Sequence, residues 1–218
     1  GGAHYKKKNQ YYLQTWHGFA LKCIEASAKN LPESYVRQCQ ADSERIDLLI
    51  SGSDYMTDIY RRDFWYNGEI APWGSPRNDV FFRETGMPQK VRKYFSLPEE
   101  RKLLLYAPTF RDDGSTEGYQ LDAEAALRAC EVRFGGQWSA LLRLHPNAAA
   151  LSKGMFAYDG QRLIDATAYP DMSELLLAAD LLLTDYSSSM FDYALSGKPC
   201  LQFASDIEAY RQDRGFYF

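Results

Sequence analysis

Short apolar runs alternate with amphipathic stretches along most of this chain, and the two periodicities predict its elements. Tyr11–Trp16 reads as a strand with His17-Gly18 as its exit turn. Leu31–Glu44 reads as a helix, with Pro32 suited to a first turn. Asp47–Ile50 is a buried strand, and Ser51-Gly52-Ser53-Asp54 is a turn and N-cap signal leading into a helix over Tyr55–Phe64. Glu69–Trp73 is a further strand, ended by Gly74-Ser75-Pro76-Arg77. The second half repeats the alternation. Strands are predicted at Lys102–Ala107, Trp138–Leu144, Arg162–Asp165, Asp180–Thr184 and Pro199–Phe203. Helices are predicted at Asp122–Val132, Met172–Ala179 and Ser188–Leu195.

Near-continuous apolar strands alternating with helices imply mostly parallel sheets covered on both faces. The fold class is therefore α/β. Residues 84–100 are polar and contain Gly86, Pro88 and Pro98. They suggest a division into 1–84, a linker over 85–100, and 101–218, giving two Rossmann-like halves. The first half reads as incomplete, because no strands precede residue 11. The chain opens on Gly1-Gly2-Ala3 and stops at Gly215-Phe216-Tyr217-Phe218 without a capping pattern, which reads as a fragment of a longer chain.

Composition narrows the class. Of 218 residues, 45% are apolar and 25% charged, ordinary values for a protein with a real core. A net charge of −4 argues against a general nucleic-acid partner. Lys6-Lys7-Lys8 is either a solvated loop or a contact for an anionic membrane surface. Cys23, Cys39, Cys130 and Cys200 form no CxxC pair and match no zinc spacing, so they read as reduced thiols of a cytoplasmic protein. No run approaches the roughly 20 apolar residues needed to span a bilayer.

In open α/β sheets, ligands bind beyond the carboxyl ends of the strands. The polar residues of this chain collect there. Thr184-Asp185-Tyr186-Ser187-Ser188-Ser189 puts hydroxyls between a strand and a helix start, where outward N–H groups can cradle a phosphate. The same residues also suit plain N-capping. Arg111, after Pro108-Thr109-Phe110, can grip phosphate through two nitrogens or pair with Asp112 or Asp113. Arg143 shares a strand face with His145 and can support it or sit in a buried pair. Two of the three histidines, His17 and His145, lie at strand exits, one in each half. Either can be structural, or a proton acceptor and phosphate partner. No P-loop, GxGxxG, GxSxG, HExxH or Asp-x-Asp motif occurs.

Taken in order, the motifs resemble a known family. They are Gln14-Thr15-Trp16-His17-Gly18 with Leu21-Lys22; Tyr106-Ala107-Pro108-Thr109-Phe110-Arg111-Asp112; Arg143-Leu144-His145-Pro146; Thr184-Asp185-Tyr186-Ser187-Ser188 with Phe191-Asp192-Tyr193; Lys198-Pro199; and Arg214-Gly215-Phe216-Tyr217. This order resembles the CDP-glycerol glycerophosphotransferases, the teichoic acid primases and polymerases, over nearly the whole chain. The resemblance implies a glycosyltransferase-B fold and transfer of glycerol phosphate, or a similar polyol phosphate, from CDP-glycerol to a lipid-linked wall or capsule polymer, with release of CMP. It implies no metal or other cofactor, and a location at the inner face of the cell membrane. By the same resemblance His17 is the general base, and His145 steadies the donor diphosphate or the departing CMP. Arg111, Thr184, Ser187 and Ser188 hold phosphate oxygens, and Asp185 or Asp192 orients the site or binds glycerol. One departure is Phe19-Ala20, where family members commonly carry a small polar residue. Two other readings are a metal-independent glycosyltransferase using a nucleotide sugar and a non-catalytic polymer-binding domain.

Overall fold

The computed structural model describes residues 6–83, 85–111, 119–145 and 154–218. In chain order the elements are β1 (Leu13–Gln14), α1 (Glu33–Ser43), β2 (Leu48–Ile50), α2 (Asp54–Asp63), β3 (Glu69–Ala71), α3 (Met87–Tyr94), β4 (Lys102–Ala107) and α4 (Ala123–Phe134). There follow β5 (Trp138–Leu142), β6 (Leu163–Asp165), α5 (Met172–Ala178), β7 (Leu181–Thr184), α6 (Ser189–Ala194), β8 (Cys200–Gln202) and α7 (Ile207–Arg214). Short 3₁₀ turns occupy Glu25–Ser27 and Pro76–Phe82. The fold is the expected α/β class with parallel sheets.

The chain forms two compact units: residues up to Asp79 with Glu208–Phe218, and Val80–Ile207. This differs from the division at 84 and 101, and 85–100 is not a linker. Pro88 lies in the first turn of α3, where its missing N–H costs nothing, and Val91 is fully buried. The Gly and Pro content had masked a helix that packs with Phe95 and Leu97 onto the core of the second unit. The chain end leaves that unit because Tyr217 is fastened elsewhere: its N–H donates to the Leu21 carbonyl (3.1 Å) and its hydroxyl to Asp63 (2.6 Å).

The first unit has a parallel sheet in the order β1-β2-β3. Leu49, Met56, Ile59, Tyr60, Phe64 and Tyr66 form its core. Ser53 caps α2 by accepting the Met56 N–H (3.2 Å). Buried beside that core, Asp63 accepts from Arg62 through two nitrogens (3.0 and 3.0 Å), from Ser27 (2.8 Å) and from Tyr217.

The second unit is a five-stranded parallel sheet in the order β6-β5-β4-β7-β8. β4 explains its own apolar run. Leu104 and Tyr106 face one layer with Leu127 and Cys130, while Leu103, Leu105 and Ala107 face the other with Val91, Leu175 and Leu176. Both faces are covered, so both sets are apolar, and each buried Leu contributes about 1.5–3 kcal/mol. Asp122 and Asp171 cap α4 and α5. β4 leads by α4 to β5 on one side, and β7 leads by α6 to β8 on the other. The β4/β7 pair is therefore the topological switch point, where a crevice opens beyond the strand ends.

Candidate functional site

In the first unit His17 follows β1 on a turn built by its own motif. Trp16 adopts a left-handed φ of 54°, a conformation costing about 1–3 kcal/mol in a residue other than glycine. Gln14 holds it there: its side-chain oxygen accepts the Trp16 N–H (2.9 Å), and its amide donates to the Tyr12 hydroxyl (2.8 Å). The Trp16 ring packs against His17 (4.2 Å between centroids) and edge-on to Phe64 (4.7 Å). His17 keeps an exposed edge. Partial loss of hydration pushes its pKa below 6.5, the Arg77 charge pushes it further, and Glu25 opposes both more weakly. At neutral pH the imidazole is neutral, as a proton acceptor must be.

In the second unit the register sets Ala107 abreast of Thr184, so the exits of β4 and β7 emerge side by side. The Asp185 carboxylate sits between them. It accepts the Thr109 N–H (2.8 and 3.0 Å) and the Tyr186 N–H, and pairs with Arg111 (2.9 Å). Asp206, just before α7, closes the cluster. It receives Arg111 through Nε (2.7 Å) and NH2 (3.1 Å) and the Tyr186 hydroxyl (2.9 Å). The guanidinium also donates to the Thr109 carbonyl (2.6 Å) and lies over the Tyr186 ring at 5.0 Å.

These contacts revise three expected roles. Arg111 is 6% exposed and its nitrogens are engaged by two carboxylates and a carbonyl, so it ties loops together rather than gripping phosphate. Asp185 is 1% exposed, and its carboxylate is engaged by the N–H groups of Thr109 and Tyr186 and by Arg111, which leaves it little surface to offer a ligand. Thr184 is fully buried, and its hydroxyl donates to the Ala107 carbonyl. Arg143 donates to the carbonyls of Ala166 and Thr167, tying the β5 exit to the β6 exit, and among the described residues it makes no ion pair with an acid.

The remaining residues stay accessible. His145 is exposed at the β5 exit, with its ring 5.1 Å from that of Phe110 on the β4 exit. Ser187 and Ser188 are half-buried after β7. The Ser187 oxygen accepts from the Ser189 N–H (3.3 Å) and hydroxyl (2.9 Å), while the Ser188 side chain makes no capping bond. Asp192 lies half-buried in the first turn of α6. Sequence reasoning met Gln14, Arg77 and Phe110 only as members of motifs and strand-exit runs, without a role of their own, and passed over Asp206. Among the described residues no cluster of three His, Cys, Asp or Glu could hold a metal, and no helix is long and apolar enough to cross a membrane.

These features define a doubly wound α/β protein with its polar groups gathered at a switch point. The chain belongs to the CDP-glycerol:poly(glycerophosphate) glycerophosphotransferase family, whose model matches residues 2–218. It is 39% identical over 228 residues to a teichoic acid poly(glycerol phosphate) polymerase of Staphylococcus epidermidis, covering 97% of this chain and 31% of that protein. A teichoic acid glycerol-phosphate transferase of Staphylococcus aureus is 32% identical, with 98% of this chain and 57% of that protein covered. A solved structure of the wall teichoic acid polymerase TagF, soaked with CDPG, superposes with a TM-score of 0.80 at 35% identity, covering 98% of this chain and 55% of that one. The chain thus spans about a third to just over half of the length of these relatives.

Proposed function

We propose that this chain carries much of the catalytic region of an enzyme that transfers glycerol phosphate, or a similar polyol phosphate, from CDP-glycerol to a hydroxyl of a lipid-linked wall or capsule polymer. The acceptor oxygen bonds to the β-phosphorus as the bond to the CMP oxygen breaks, and the acceptor proton passes to His17. Its lowered pKa supports that role, because the ring is unprotonated at neutral pH. His145 steadies the donor diphosphate and the departing CMP. Ser187 and Ser188 contact phosphoryl oxygens, and Asp192 is the remaining carboxylate for the glycerol hydroxyls. Charge on the leaving group is met by these donors, without a metal or other cofactor.

The observation that carries the reading is a family match over residues 2–218 in a chain whose His145 and Ser187 leave the same edge of one parallel sheet. Lys6 is paired with Asp47, while Lys7 and Lys8 are exposed. These two lysines support peripheral contact with the anionic inner face of the cell membrane, at about 1 kcal/mol each. The test is calorimetric titration with CDP-glycerol, CMP and UDP-glucose, using His145→Ala and Ser187→Ala as controls. Binding of CDP-glycerol and CMP, weakened in both variants, is expected. Preference for UDP-glucose would instead indicate a glycosyltransferase.

A further inference from the structure

Thr109 stands in the β4/β7 crevice with one of its polar atoms unused. Its N–H is held by both oxygens of Asp185 (2.8 and 3.0 Å). Its carbonyl accepts from Arg111 (2.6 Å) and from the Tyr119 hydroxyl (2.9 Å). Its side-chain oxygen is buried and has no hydrogen-bond partner. Native proteins carry few such atoms, because an unpaired buried hydroxyl destabilises the fold.

The Thr184 hydroxyl is committed to the Ala107 carbonyl, while the Ser187 oxygen accepts twice from Ser189 and keeps its own proton to donate. The positive charge of Arg111 is taken by Asp185 and Asp206. An anion entering this crevice must therefore be met largely by uncharged donors. Thr109 as a whole is only half-buried, and its hydroxyl can exchange staggered positions about χ1 while hydrogen bonds pin the backbone.

We propose that Thr109 is a ligand-binding residue whose hydroxyl turns into the crevice and donates to a phosphoryl oxygen of the donor diphosphate. The identity of that donor as CDP-glycerol rests on the function proposed above, but the chemistry requires only a phosphoryl oxygen. The unpartnered hydroxyl is then stability given up for binding.

The test compares Thr109→Val and Thr109→Ser with the unaltered chain by thermal unfolding and by calorimetry with CDP-glycerol and inorganic pyrophosphate. Valine keeps the shape and removes the unpaired oxygen. It is expected to raise Tm by about 2–4 °C. The same change is expected to weaken binding of both ligands by about tenfold to a hundredfold, as for a hydrogen bond to a charged group. Serine should restore the affinity. Unchanged affinity in Thr109→Val, or a lowered Tm, overturns the proposal. Pyrophosphate binding that depends on Thr109 without any CDP-glycerol binding supports it while overturning the proposed donor. CDP-glycerol binding indifferent to Thr109→Val does the reverse. Absence of binding by the unaltered chain overturns both.

Discussion

Arg111 and Asp206 are 95 positions apart in the sequence, yet they meet in a two-point ion pair at 2.7 and 3.1 Å. The pair joins the loop after β4 to the segment that follows β8, and Asp185 adds the loop after β7. Three strand exits are thereby held in one arrangement. Breaking a buried pair costs about 3–5 kcal/mol, and the partial exposure of Asp206 puts Asp206→Asn at the lower end. A clear fall in Tm is expected. Arg111→Lys should not substitute, because an ammonium cannot span two carboxylates and a carbonyl as a guanidinium does. A Tm within a degree or so of the unaltered protein in both variants would contradict this role.

The two histidines should separate kinetically in a full-length enzyme. His17→Asn is expected to lower kcat by about 10²–10⁴-fold, the usual worth of a general base, with CMP affinity unchanged. His145→Ala is expected to weaken CMP binding as well. Equal losses of CMP affinity in the two variants would overturn the division of labour.

The pH dependence follows from the surroundings of His17. Loss of hydration and the Arg77 charge both hold its pKa below 6.5. The base is therefore active down to a pH below that value, and the acidic limb of the kcat/KM profile should lie there. Arg77→Ala removes the repulsion of the protonated ring, so the limb should move up. A limb that stays in place or moves down would show that the charge does not act on His17.

Acid stability should depend on Asp63. Burial alone pushes its carboxyl up, but hydrogen bonds from Arg62, Tyr217 and Ser27 outweigh burial and hold its pKa below 3.8. Its contribution is complete above 3.8 and is lost as pH falls through the lower folded value. Tyr217→Phe removes one of these bonds. It should lower Tm at neutral pH by an amount that shrinks in acid, as the carboxylate it supports becomes protonated. Thermal unfolding at several pH values checks this, and a loss independent of pH would refute it.

Much of the fold was legible because it depends on local pattern. The continuous apolar run at Lys102–Ala107 appears as β4 with those same ends, and Ser53, inside the turn and N-cap signal Ser51–Asp54, caps α2. The helix α3 was not legible, since Pro88 and Gly86 resemble loop residues until the burial of Val91 is known. The ends of β1 were overestimated, because the left-handed turn at Trp16 depends on the Gln14 side chain reaching back to it.

By itself the sequence determined the α/β class, the order of strands and helices, the positions of His17 and His145 at strand exits, and the family. Those are properties of spacing along the chain. Only the tertiary structure decided what each polar residue does. Whether Arg111 faces a ligand or two carboxylates depends on Asp185 and Asp206, brought to it by strand register and by the path of the chain after β8. Thr184 and Thr109 look alike in a motif, but one hydroxyl meets a carbonyl and the other meets nothing. Burial and partnership are set by residues distant in sequence, and spacing does not encode them.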